Sequence, residues 1–378
     1  HFLEHMFFKG TRRRSAMQIS REIDGLGGEL NAFTTRETTT YYVKVLDQQL
    51  KPAVDLLADL FYHSRFDSRE VDKEKQVVLE EIRMVQDDPE DFVQDLHTQQ
   101  TFKDHPVGLP ILGDASTIRT IRRDHLIQYI RKHYHPQRTI LAVAGNVERR
   151  ALMALLKRRF GSFATAAGPA DPVRRDLYRY PARLCGGLSV RPKPLEQAHL
   201  CLSLRGLPLG HKERYAAHAL NAVLGGSVSS RLFQEVRERR GLAYSIYSYL
   251  ASFSDCGTFT IYAATRPREA PRVLEVICRE LRRLRTRGPD KTELELAKNQ
   301  MKGSLMLSLE STHSRMNKLA KDELYQGRHT SLEDMLADID RVSKDRVMSL
   351  SRELFDLDRL AVTALGPISS RSLQNALP

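Results

Sequence analysis

Five residues, His1-Phe2-Leu3-Glu4-His5, constrain this chain more than any other stretch of it. Two imidazoles four positions apart share a face when the segment is an α-helix, where they lie one turn above each other. A carboxylate three positions after the first histidine falls on that face too. Two nitrogen donors beside an acid are what a catalytic zinc needs: ligands for the ion and a base next to its water. His-x-x-Glu-His is the inverted form of the His-Glu-x-x-His zinc signature. The plain alternative is an amphipathic helix with two solvated histidines. A third ligand has to come from elsewhere.

At 378 residues the chain exceeds one ordinary core and points to two domains. The hydrophobic share of 41% with 28% charged residues suits a globular enzyme. No apolar run approaches the length of a membrane span. The first residue belongs to the motif and is not a methionine, so the expectation is a fragment with any targeting segment upstream. The net charge of +12 is dispersed in short clusters such as Arg12-Arg13-Arg14 and Arg282-Arg283. With no tryptophan, basic tail or reading motif, it reads as solvated helix faces and not as a nucleic-acid site. Cys185, Cys201, Cys256 and Cys278 show no Cys-x-x-Cys spacing. They read as reduced, mostly buried thiols that take no part in the metal site.

Helical and strand patterns alternate along the chain. Residues 2–10 and 16–26 read as helices, the second stopped by Gly27-Gly28, and 30–35 and 38–46 as β-stretches. Residues 51–61 are amphipathic, and 67–87 form a long charged helix closed before Pro89. Two further helices and a buried strand at 139–144 follow. Between Gly161 and Pro194 periodicity fades, which marks an interdomain connection. Thereafter the order recurs: a strand at 200–204, helices at 215–224 and 230–239, β-stretches at 242–250 and 258–264, and an amphipathic helix at 270–284. This predicts an α+β protein made of two duplicated α/β domains, 1–185 and 186–378, each a mainly antiparallel sheet packed with helices. The second copy has Ala219–Val223 where the first has the metal motif, so one metal is expected per chain.

Candidates for the third ligand are Glu70, Glu74, Glu80 and Glu81 on the charged helix. Glu74 and Glu81 are two turns apart on one face, with Glu80 rotated away.

Three stretches then become specific together: His1 through Thr11, Gly27-Gly28-Glu29-Leu30-Asn31-Ala32-Phe33-Thr34-Thr35-Arg36-Glu37, and Val77-Val78-Leu79-Glu80-Glu81-Ile82. The chain resembles the pitrilysin-type (inverzincin, M16) zinc metallopeptidases, in the short-chain branch that includes the mitochondrial processing peptidase β subunit and its bacterial relatives. The resemblance implies a zinc ion held by His1, His5 and Glu81, with Glu4 as general base and Glu74 behind the site orienting a histidine. Residues 225–245 are similar to the family's C-domain signature. That similarity implies that Arg237 and Tyr244 face the zinc and support the carbonyl under attack. The ordinary reading of that pair is a surface ion pair and a sheet residue. Two further matches, His105 through Gly113 and Ala142 through Val147, read as structural turns and strand ends. The strand that normally precedes the metal helix in the family is absent, which puts the sheet edge in question.

The implied reaction is endopeptidase hydrolysis of short or unfolded peptides. Substrate adds as a strand beside residues 30–35, where Asn31, Ala32 and Phe33 contact it. Implied partners are a second copy or a catalytically silent homologue. The thiols favour a bacterial cytoplasm, with an organelle matrix or periplasm left open. The rival readings are a silent scaffold subunit and, more remotely, a nucleic-acid-binding protein.

Overall fold

The computed structural model describes residues 1–165 and 184–377. The chain groups into two units: His1–Val85 with Pro110–Asp176 and Ser311–Leu324, and Gln86–Leu109 with Leu177–Glu310 and Tyr325–Pro378. The sequence places the division at residue 185, whereas 86–109 and 311–324 group across that line.

In the first unit, helix α1 (Phe2–Phe7) is short and depends on what it buries. Phe2, Leu3, Met6 and Phe7 enter a core with Leu56 and Leu60 of α3 (Leu50–His63) and Val71, Val78 and Ile82 of α4 (Ser68–Asp87). Between these helices, α2 (Ala16–Gly25) starts on a reciprocal cap between Ser15 and Gln18. After it Gly27 takes a left-handed φ of 61°, a conformation that costs glycine little, and turns the chain into a hairpin. Strands β1 (Glu29–Thr34) and β2 (Thr39–Lys44) pair antiparallel, Asn31 opposite Tyr42 and Phe33 opposite Thr40. Among the described residues no other strand joins this hairpin.

Three helices, not two, follow α4: α5 (Pro89–Thr101), α6 (Ala115–Thr120) and α7 (Arg123–His133). The strand expected at 139–144 does not form, and Ile140 and Leu141 are exposed. Its β-branched run has no hydrogen-bonding neighbour among the described strands, and an unpaired backbone cannot be buried as a strand. Helix α8 (Arg149–Thr165) continues into the stretch read as a connection, most of which lies outside the described residues.

The second unit is built on a five-stranded sheet in the order β3-β7-β4-β6-β5. Its strands are β3 (Gly187–Pro192), β4 (Ala198–Arg205), β5 (Ala243–Ser252), β6 (Gly257–Thr265) and β7 (Ala361–Gly366). All neighbours are antiparallel except β3 and β7. Alternation sorts the side chains. Leu200, Leu202, Phe259 and Ile261 face the helices Arg214–Leu224 and Ala270–Arg287, while Cys201 and Tyr262 face Val93 of α5. Both faces are covered, which explains the unbroken burial of β4 from Ala198 to Leu204. Of the two units, the second repeats the first's order of two helical segments, an antiparallel hairpin and an amphipathic helix, on a larger sheet. The segment read as a helix at 230–239 contains a π-helical turn, Phe233–Glu238.

Gly108 shows why His105-Pro106-Val107-Gly108 is a structural turn: a Cβ there would sit 2.2 Å from the Phe102 carbonyl oxygen. No helix among the described residues is long and apolar enough to cross a membrane.

Candidate metal centre

Helix α1 presents His1 and His5 from the side opposite its core residues. Their rings meet edge to face, with Nε2 atoms 3.2 Å apart. Helix α4 brings in Glu81, whose Oε2 lies 3.8 Å from His1 Nε2 and whose Oε1 lies 3.7 Å from His5 Nε2. Tetrahedral zinc with bonds of about 2.0–2.2 Å separates its N and O ligands by about 3.3–3.6 Å. The three donors are therefore spaced for one such ion.

The hydrogen bonding agrees with that spacing. His5 Nδ1 is 2.8 Å from Glu74 Oε1, so the ring proton sits on Nδ1 and the Nε2 lone pair points toward His1. Glu81 Oε2 is sealed from solvent and has no hydrogen-bond partner among the described residues. A buried carboxylate oxygen facing imidazole lone pairs is costly unless a cation lies between them. The residues present thus fit a zinc-type ion.

The remaining candidates fall around this set. Glu74 is buried and also bonds Lys9 Nζ at 2.6 Å, so one carboxylate ties the second histidine to a lysine four residues further on. Glu80 points away and pairs with Arg83 on the surface. Glu4 is buried, and its Oε2 accepts a 2.5 Å hydrogen bond from Thr34 Oγ1 on β1. Burial first, then Tyr134, and also the Glu4 charge, push the Tyr41 phenol far above its ordinary range, so it stays neutral beside the site. On β1, the Ala32 amide donates to Asn31 Oδ1 at 2.8 Å, and Phe33 packs near Tyr42.

Arg237 and Tyr244 lie in the second unit. The Arg237 guanidinium stacks 4.8 Å from the centres of both the Phe233 and Tyr244 rings. Tyr244 belongs to β5 with its side chain 77% exposed, and Arg237 also lies 3.7 Å from Glu238 on the surface, as the ordinary reading has it.

Lys9 and Thr34 are the two residues that sequence reading missed. Lys9 stands four residues after His5, just past the end of α1, a spacing that was available as a signal. Nothing in the local pattern marks Thr34, because its partner is thirty residues away.

Residues 1–115 match the family model described as insulinase (peptidase family M16), and residues 120–301 match the model described as peptidase M16 inactive domain. The chain belongs to peptidase family M16. It is 46% identical over 358 residues to the Bacillus subtilis protein named "uncharacterized zinc protease YmxG", covering 95% of this chain and 86% of that one. A Streptomyces coelicolor protein, also named an uncharacterized zinc protease, is 40% identical over 372 residues, covering 98% of this chain and 81% of the relative. The fold matches the crystal structure of a protease from Helicobacter pylori with a TM-score of 0.88 at 23% identity, over 97% of this chain and 88% of that one. At that identity the likeness speaks for the M16 fold alone.

Proposed function

We propose that this M16 member is a zinc-dependent endopeptidase acting on short or unfolded peptides. The observation that carries the proposal is the grouping of His1, His5 and Glu81 at 3.2–3.8 Å with the Glu4 carboxylate on the same helix turn. Zinc held by those three donors supplies Lewis acidity that lowers the pKa of water and polarises a carbonyl. Glu4 is the residue that takes the proton from the attacking water and returns it to the leaving amine. Thr34 holds one oxygen of Glu4 and leaves Oε1 for that transfer. Glu74, anchored by Lys9, holds the His5 ring in the tautomer that offers Nε2.

A substrate strand pairs with the edge of β1 away from β2. The Ala32 amide is satisfied by Asn31, so its hydrogen points away from β2, and a substrate carbonyl replaces Asn31 as its acceptor. Phe33 completes the contact on the same strand. Arg237 and Tyr244 are assigned to carbonyl binding because they present an exposed phenol beside a stacked guanidinium. In this reading one catalytic zinc binds per chain, and the chain works as a homodimer or with a silent homologue, in a bacterial cytoplasm.

The test is cleavage of a quenched fluorescent peptide library by the wild-type protein and by Glu4→Gln, with and without a chelator. Chelator-sensitive cleavage that Glu4→Gln abolishes while retaining zinc is the expected result. Zinc retained with no cleavage of any peptide, alone or with a homologue added, turns the reading toward the silent scaffold. A folded protein with neither zinc nor cleavage removes the peptidase reading.

A further inference from the structure

A separate cluster lies within the second unit. His105 follows α5 and caps the short turn Pro106–Gly108, while Asp255 and Cys256 sit at the tip of the β5–β6 hairpin. The tip is a tight turn closed by a 2.8 Å bond from the Phe253 amide to the Cys256 carbonyl. On the other side the 102–108 loop is closely packed, leaving no room for a Cβ at Gly108 beside the Phe102 carbonyl.

The side chains of His105 and Asp255 are only 8% and 9% exposed, and Cys256 is 8% exposed. His105 Nε2 is 3.1 Å from Asp255 Oδ2, and one donor atom from each of the three residues lies within 4.8 Å of the others. Apolar side chains, Phe102, Val107 and Phe253, pack around them. In this setting Asp255 Oδ1 is shielded from water and has no hydrogen-bond partner among the described residues. A histidine–aspartate pair alone leaves that oxygen unsatisfied, which is costly in an apolar surround.

We propose that His105, Asp255 and Cys256 form a second divalent-cation site, of a donor set that suits zinc, clamping the 253–256 turn to the 102–108 loop. One nitrogen, one oxygen and one sulfur match zinc better than magnesium or calcium, which take oxygen donors. A tetrahedral ion separates such ligands by about 3.3–3.7 Å, so the donors close by roughly an ångström on binding. Binding releases the thiol proton to solvent and moves the His105 proton from Nε2 to Nδ1. This displaces the 3.3 Å contact from the Val107 amide to Nδ1 and exchanges the 3.1 Å Nε2–H bond to Asp255 Oδ2 for the two bonds to the ion. With every ligand about nine-tenths buried, the role is structural.

The His1, His5 and Glu81 set contains no sulfur, and this makes the two sites separable. Metal-free full-length protein is titrated with cobalt(II) and followed in the near ultraviolet for sulfur-to-cobalt charge transfer. The proposal expects about two bound equivalents, one bringing that absorption. Cys256→Ser abolishes the band and one equivalent, and His5→Gln leaves the band in place. A wild-type protein that binds cobalt with no charge-transfer band overturns the proposal without any variant. So does a band that survives Cys256→Ser, or one removed by simple desalting, which marks an adventitious ion only.

Discussion

Replacing Thr34 with valine tests whether the base is held by the strand that receives substrate. Valine keeps the volume and β-branch of threonine and removes only the donor. The donor is a neutral hydroxyl 2.5 Å from a carboxylate that is 8% exposed, so water competes poorly for it. Thr34 Oγ1 also lies 3.3 Å from Thr39 Oγ1, but its single proton goes to the nearer, charged acceptor. A hydrogen bond to a charged group contributes about 1.5–3 kcal/mol. If that contribution goes into orienting Glu4 for proton transfer, kcat falls about 10- to 150-fold. The assay is steady-state cleavage of a fluorescent peptide, with zinc content and melting temperature measured on the same samples. Thr34→Val lowers kcat within that range while KM and zinc content stay within about twofold, and Thr34→Ser restores most of the loss. A Thr34→Val protein whose kcat stays within about twofold of wild type refutes the positioning role. Equally, a loss that appears only in KM or in zinc content assigns Thr34 to binding or folding.

Three other outcomes are expected. Glu74→Gln weakens zinc binding about 10- to 100-fold, read by competition with a chelating indicator, because the carboxylate that orients His5 is lost; affinity within about twofold of wild type contradicts this. Burial holds His97 neutral, with its pKa pushed down to about 3, in a pocket where it bonds Ser203 and Thr363. Its stabilising contribution is therefore complete above about pH 6.5 and declines as the unfolded chain takes up a proton, by about 1.4 kcal/mol per pH unit down to pH 3. Urea unfolding of wild type between pH 6.5 and 5 should lose about 2 kcal/mol more than His97→Gln does, and parallel slopes would disprove the assignment. Gly108→Ala drives a Cβ into the Phe102 carbonyl and should destabilise the protein by about 2–4 kcal/mol, seen as a lower midpoint in denaturant.

What the sequence made legible was local. The His1–His5 spacing, the glycine stop before β1 and the shared face of Glu74 and Glu81 on α4 are each set by helical or strand periodicity within one element, although the helix read at 2–10 ends at Phe7. The misses are non-local. Residues 139–144 carry a strand's composition, but a strand exists only where a neighbour supplies its ladder, and composition does not report the neighbour. Thr34 bonds Glu4 across thirty residues, and His105 reaches Asp255 across 150, so neither pairing has a periodic trace. The family resemblance, carried by motifs, selected Glu81 over Glu80, and in the structure Glu81 lies 3.7–3.8 Å from both imidazoles while Glu80 pairs with Arg83.

Helix α1 is six residues long, far too short to hold its shape as an isolated peptide. Its ligands and its core anchors alternate along a turn and a half, so the imidazoles converge only while Met6 and Phe7 remain docked. An ion bridging α1 to Glu81 therefore staples two segments that lie far apart along the chain, and its departure and the loosening of this helix become one event. Metal occupancy is then written into the melting curve: the midpoint should rise with the logarithm of free ion concentration, and a chelator should act on this protein as a denaturant does.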